Sequence, residues 1–165
     1  MIFVVLGTQM FPFDRLLKVM DTYAAGSERK EEIFAQIGHS NYIPQHYEYV
    51  PFLDKESFEK RIQTCDLLIT HGGIGTILVG LENKKRMIVF PRLRKHGEHI
   101  DDHQLEVANV FQKKGMLSVC GETDDLSDVI HDALNKHYAM EYRSARKENL
   151  ELLESFISSV SREGN

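Results

Sequence analysis

Apolar runs rich in β-branched side chains alternate along the chain with stretches in which apolar positions recur at helical spacing. The run 2–6, Ile-Phe-Val-Val-Leu closed by Gly7, contains no polar position, the pattern of a strand covered on both faces of a parallel sheet. In 13–25, Leu16, Leu17, Met20 and Tyr23 fall on one helical face and Gly26 supplies the stop. Further strands are predicted at 33–37, 47–50, 67–70, 87–90 and 116–119. Helices are predicted over 54–64, from the glycine-rich turn after the fourth strand to 82, over 100–114, and over 124–136 and 138–160. Asp54 caps its helix through Asp-x-x-Ser, which lacks the Glu of a full capping box. Strands alternating with helices imply right-handed crossovers and a doubly wound, Rossmann-like parallel α/β sheet in one domain over 1–160, with 161–165 a disordered tail. Such sheets bind ligands beyond the carboxyl ends of their strands. The unusual residues follow the first, fourth and fifth strands, so they converge on one rim.

Composition narrows the class without changing the fold. The 165 residues are 42% hydrophobic, enough for one core, and the net charge of −5 excludes a generic nucleic-acid binder with a basic surface. Cys65 and Cys120 form no CxxC pair, so neither a disulfide framework nor a cysteine zinc site is expected, and a reducing, cytoplasmic setting is. The apolar start is too short for a signal peptide, and no run approaches the ~20 residues of a membrane span. Membrane contact is therefore expected to be peripheral or through another protein.

Two segments carry chemistry. The first is Thr70-His71-Gly72-Gly73-Ile74-Gly75-Thr76 at the tip of the fourth strand. Glycines let backbone approach a ligand, and the following helix N-terminus offers unpaired N–H groups and the positive end of a dipole. Together they suit a diphosphate, with Thr76 as a hydroxyl donor and His71 facing the cleft. A branched side chain at Gly73 is expected to block the phosphates and spare the core. The segment is neither a Walker loop nor the GxGxxG fingerprint, and the competing reading is a tight strand–helix turn that uses glycine only for packing.

The second segment runs from Pro91 to Gln104 and joins six charged side chains to three histidines. Arg92, Arg94 and Lys95 could meet phosphate charge, although Arg94 and Lys95 fit a solvated loop better. Asp102, His103 and Gln104 fall in a first helical turn, within reach of sugar or ribose hydroxyls. His99 and His103 are four apart, which on a helix places them on one face, and Glu98 or Asp102 would complete a zinc site; no HExxH motif accompanies them.

The motifs THGGIGT, KKRMIVFPR and GEHIDDHQ, with Gly7-Thr8-Gln9 and Phe13-Asp14-Arg15-Leu16 near the start, resemble the C-terminal domain of family 28 glycosyltransferases. More narrowly the chain resembles the PssE-type subunits of bacterial polysaccharide synthesis, and it is similar to the catalytic subunit of the two-part N-acetylglucosaminyltransferase of eukaryotic dolichol-linked oligosaccharide assembly. The resemblance covers nearly the whole chain. It implies the donor half of a GT-B, inverting glycosyltransferase. The donor would be a UDP-sugar, with no metal or other cofactor. Activity would need a membrane-anchored partner subunit that carries the acceptor domain and a lipid-linked saccharide. The location would be cytoplasmic, at the inner face of the membrane through that partner. By the family pattern, backbone near Phe52 and Leu53 would hold uracil, and Gly72, Gly73, Gly75 and Thr76 the diphosphate. His103 and Gln104 would touch the sugar or ribose, His99 and Asp102 would belong to the same nucleotide-sugar site, and Gly7 to Gln9 would line the cleft floor. The acidic ribose ligand of many relatives falls at Val79 here, with Glu82 one turn later as a possible replacement.

Transfer needs a base for the acceptor hydroxyl. His71, His103, Asp14, Glu98 and a group on the partner all remain candidates. The rival functions are a non-catalytic nucleotide-binding regulatory subunit of a polysaccharide synthase complex and, against the chain's length, a sugar-nucleotide epimerase.

Overall fold

The computed structural model of the chain describes residues 1–26 and 31–135. The helix expected at 138–160 and the tail at 161–165 lie outside the described residues. Six parallel strands form one sheet: β1 (Ile2–Val5), β2 (Ile33–Gln36), β3 (Glu48–Val50), β4 (Leu67–Thr70), β5 (Arg86–Val89) and β6 (Ser118–Val119), in the order β3-β2-β1-β4-β5-β6. The α-helices among the described residues are α1 (Asp14–Gly26), α2 (Lys55–Thr64), α3 (Ile74–Glu82), α4 (His103–Lys113) and α5 (Leu126–Asn135).

The unbroken apolar runs are explained by two layers of cover. Ile2, Val4 and Leu6 face Leu16, Leu17 and Met20 of α1 and Leu126, Ile130 and Ala133 of α5. Phe3 and Val5 face the other side, where Ile62 of α2, Ile77 and Leu81 of α3, and Ala108 and Phe111 of α4 pack. Alternate residues of one strand thus serve two cores, and a polar residue on either face would be buried without a partner. Asp54 caps α2 by accepting from the Ser57 amide at 2.8 Å, and the Ser57 hydroxyl returns to the same carboxylate at 2.8 Å. The serine thus adds a second bond to the capping carboxylate, without the reciprocal bond to the N-cap amide that a Glu would make.

The starts of α4, α5 and the sixth strand each fall two or three residues later than expected, α5 beginning at Leu126 rather than 124. α4 begins at His103 rather than at 100. Asp101 accepts from the His103 amide at 3.1 Å, while the chain before it turns through a short 3₁₀ segment, Arg94–His96, and Gly97 at φ 68°. The sixth strand starts at Ser118 rather than 116, because Met116 still donates back to the Phe111 carbonyl at 3.1 Å as the chain leaves α4.

Gly80 lets α3 settle on the sheet. A Cβ there would lie 2.2 Å from Met87 Sδ and 2.9 Å from Leu68 Cδ2, both buried. Alanine at an ordinary helical glycine stabilises by about 1 kcal/mol. Here overpacking reverses the sign, and Gly80→Ala is expected to cost roughly 1–3 kcal/mol in urea unfolding. A gain in stability would mean that Met87 has room to move.

Candidate functional site

β1 and β4 are neighbours, but the chain leaves β1 towards β2 and β3 and leaves β4 towards β5 and β6. The divergence opens a crevice at the carboxyl ends of β1 and β4, the topological switch point of a doubly wound sheet. Gly7, at φ 76°, turns the chain after β1, and Gly72, at φ 90°, turns it after β4. Gly73 is the N-cap of α3 and offers no side chain; its carbonyl accepts from Thr76 and Ile77. The amides of Ile74 and Gly75 have no acceptor among the described residues, so two donors and the helix dipole face the rim.

His71 is wedged between the two turns, 6% exposed. A Cβ on Gly7 would come within 2.7 Å of its ring, and one on Gly73 within 2.4 Å. The expectation that a side chain at Gly73 would spare the core is therefore corrected: it strikes a buried imidazole. His71 Nδ1 lies 3.3 Å from the Val5 carbonyl, which only accepts, so Nδ1 carries the proton and Nε2 the lone pair. Burial, reinforced by the Arg92 guanidinium, lowers the His71 pKa to about 4. The ring is neutral at physiological pH and enclosed between the two turns.

Arg92 is also redirected. Its side chain is 1% exposed, Nη1 donates to the carbonyls of Phe11 (2.9 Å) and Glu98 (3.3 Å), and Nη2 donates to that of Leu6 (2.7 Å). It ties the end of β1 to the loop after β5 rather than presenting itself to phosphate. Glu98, buried, takes a two-pronged salt bridge from Arg15 at 2.8 and 2.7 Å and a further bond from the Leu93 amide. Asp14 accepts from the amides of Asn41 and Tyr42. Both carboxylates hold loops, so neither is poised as the base. Lys95 pairs with Glu122, as its loop reading implied.

His99 lies before the start of α4, so its spacing from His103 does not put the two on one helical face, and the geometric argument for zinc lapses. Among the described residues no group of three or more histidine, cysteine or acidic side chains could hold a metal ion. His99 Nδ1 lies 3.0 Å from Asp101 Oδ1, and His103 Nδ1 lies 3.0 Å from Glu106 Oε2. Asp102 accepts from the Arg94 amide at 2.8 Å. Gln104 stands against the glycine turn: a Cβ on Gly72 would meet its Cβ at 3.1 Å. Its Oε1 is buried without a partner, an acceptor waiting for a hydroxyl or amide donor. Thr8 and Gln9 are exposed in the turn after β1. Clefts of 260 and 490 Å³ open beside Arg15, yet neither is lined by the glycine turn.

Residues 1–159 match the glycosyltransferase family 28 C-terminal domain. The chain belongs to this family. It is 32% identical over 130 residues to the human "UDP-N-acetylglucosamine transferase subunit ALG13", a match covering 72% of the chain and 11% of that protein. The chain thus spans about a tenth of the length of its curated relative. Among solved structures, SnogD from Streptomyces nogalater superposes with a TM-score of 0.57 at 19% identity, over 94% of this chain and 39% of that one. MurG of Acinetobacter baumannii does so with a TM-score of 0.56 at 17% identity, over 80% and 40%. The fold is that of GT-B glycosyltransferases.

Glu82 is the last residue of α3, about 12 Å along the axis from the first at 1.5 Å per residue. Glu82 is exposed there, at the end of α3 away from the glycine turn. The Leu53 amide already donates to Gln36 Oε1 at 3.0 Å, leaving its carbonyl as the group open to a nucleobase. Phe52 is exposed beside His39, ring centroids 5.0 Å apart. Sequence reasoning passed over Gln36 and Asp101. The signal for Gln36 was a polar residue ending an otherwise apolar strand; Asp101 carried none beyond its place in an acidic pair.

Proposed function

We propose that the chain is the donor-binding, catalytic half of an inverting glycosyltransferase that takes a UDP-sugar at the switch point. One observation carries the reading: unpaired amides at the N-terminus of α3, in a glycine turn with the buried, unpartnered Gln104 Oε1 beside it. Two N–H groups and a helix dipole suit a diphosphate and stabilise it as it leaves, with no metal required. On this reading Gln104 accepts from a sugar hydroxyl. The acceptor hydroxyl attacks the anomeric carbon as the bond to the diphosphate breaks, which inverts the centre. The name of the human relative supports a UDP-sugar donor, N-acetylglucosamine as the first sugar to try, and a subunit that works with another chain. An acceptor domain on that other chain belongs to the same reading. Membrane anchoring of that partner, a lipid-linked acceptor, bacterial polysaccharide as product, and a place at the inner membrane face belong to the same proposal.

Gly75 provides the test. A Cβ there meets nothing within 4 Å, unlike one at Gly73. Gly75→Val should leave stability within about 1 kcal/mol of the parent, helix propensity if anything favouring valine. UDP affinity measured by calorimetry without divalent metal should fall roughly tenfold or more, about 1.4 kcal/mol. Unchanged UDP binding would make the turn a packing device, and binding that requires added metal would revive the metal reading.

A further inference from the structure

The proposed reaction leaves a proton without a destination. The candidates named from sequence within this chain have thinned: His71 is enclosed between the two turns, and Asp14 and Glu98 hold loops. His103 keeps 43% of its side chain exposed and pairs with Glu106 on the surface of α4.

We infer that His99, oriented by Asp101, is the general base that takes the proton of the incoming hydroxyl. The inference rests on the UDP-sugar reading. Three features of the site single out this histidine. Its side chain is 14% exposed and packs against Phe11, ring centroids 5.4 Å apart, so the ring is held between the loop after β1 and the loop after β5. These are the loops that border the switch point. Asp101 Oδ1 lies 3.0 Å from His99 Nδ1 and is itself anchored by the His103 amide at 3.1 Å, at the positive end of α4. A carboxylate fixed in this way only accepts, so it holds the proton on Nδ1 and leaves the Nε2 lone pair for substrate, the arrangement that orients a histidine base and stabilises the imidazolium formed. The Asp101 amide is 3.4 Å from the same Nδ1, a longer contact favouring the opposite tautomer. The third feature is proximity: Arg92 donates both to the Leu6 carbonyl at the end of β1 and to the carbonyl of Glu98, the residue before His99.

In the step, the acceptor oxygen forms its bond to the anomeric carbon and the carbon–oxygen bond to the diphosphate breaks. The electron pair leaves on the diphosphate, and the hydroxyl proton passes to His99 Nε2, from which water later removes it. Asp101 touches no substrate; it is a positioning residue.

The test reads the tautomer. In ¹⁵N ring spectra of the full chain, His99 should be protonated at Nδ1, and Asp101→Asn should mix or reverse the tautomers while UDP-N-acetylglucosamine affinity stays the same. UDP-N-acetylglucosamine should move the His99 Nε2 signal more than UDP does, because the sugar, not the nucleotide, lies against it. In the complex isolated on the tagged full-length chain, His99→Gln should lower kcat for UDP release by roughly 100-fold, the scale of a lost general base, with a far smaller change in donor KM. Protonation of His99 at Nε2, a tautomer unmoved in Asp101→Asn, or an undiminished kcat in His99→Gln would each overturn the assignment while the donor reading stands. If UDP-N-acetylglucosamine leaves the wild-type spectrum unchanged, the donor reading falls and the base falls with it.

Discussion

Arg92→Met is expected to destabilise the chain by about 3–5 kcal/mol, the range for removing one member of a buried charged network. The guanidinium is a knot between three segments: it donates to Leu6 at the end of β1, to Phe11 in the following loop and to Glu98 in the loop after β5. Methionine fills part of the volume and satisfies none of these carbonyls, and each buried acceptor left bare costs about 1–3 kcal/mol. Burial lowers the Arg92 pKa to about 10, opposed by Glu98, so the group stays charged at neutral pH. Urea unfolding should show a lower midpoint with little change in slope. Arg92→Lys should fall between, because an ammonium cannot span three divergent carbonyls. A loss below about 1 kcal/mol for methionine would mean that water replaces the guanidinium, contrary to the burial.

The second large effect is a pH dependence centred on His71. The unfolded ring titrates near 6.5 and the folded ring near 4, so between these values the unfolded state binds a proton that the native state refuses. Stability from this group is fully present above pH 6.5 and is lost as pH falls towards 4, by about 3 kcal/mol in total. Stability measured in urea from pH 7.5 to 4.5 should therefore fall more steeply in the wild type than in His71→Gln, which cannot titrate. Identical slopes would place the ring in contact with solvent. The neutral ring acts as a spacer between Gly7 and Gly73, and under the proposed donor reading a diphosphate would meet amide donors rather than an imidazolium.

How far the chain is legible can be judged from single positions. The run 2–6 demanded cover on both faces, and Phe3 and Val4 do face different cores. A strand's partners repeat every second residue, so periodicity suffices. Asp54 identified a cap because capping is a contact across three residues. The glycine turn was legible for the same reason, since φ > 0 and an unpaired helix start are local properties.

The roles of charged residues were not legible, and Arg92 is the plainest case. In sequence it is a basic residue after a strand, beside a phosphate-like turn; in space it lies under the rim against carbonyls from positions up to 86 residues away. Glu98 looked like a base or a metal ligand until Arg15, 83 residues off, claimed both of its oxygens. His99 looked like a helix neighbour of His103 until Asp101 moved the helix start past it. Hydrophobic pattern, turns and caps are written over two to four residues, so the sequence by itself determined the sheet, the crossovers and the rim on which the site stands. A charge acts through whichever partner the fold delivers, and burial multiplies the strength of that pairing. Which histidine is neutral, which carboxylate is already engaged and which acceptor is left open were therefore decided by tertiary structure alone.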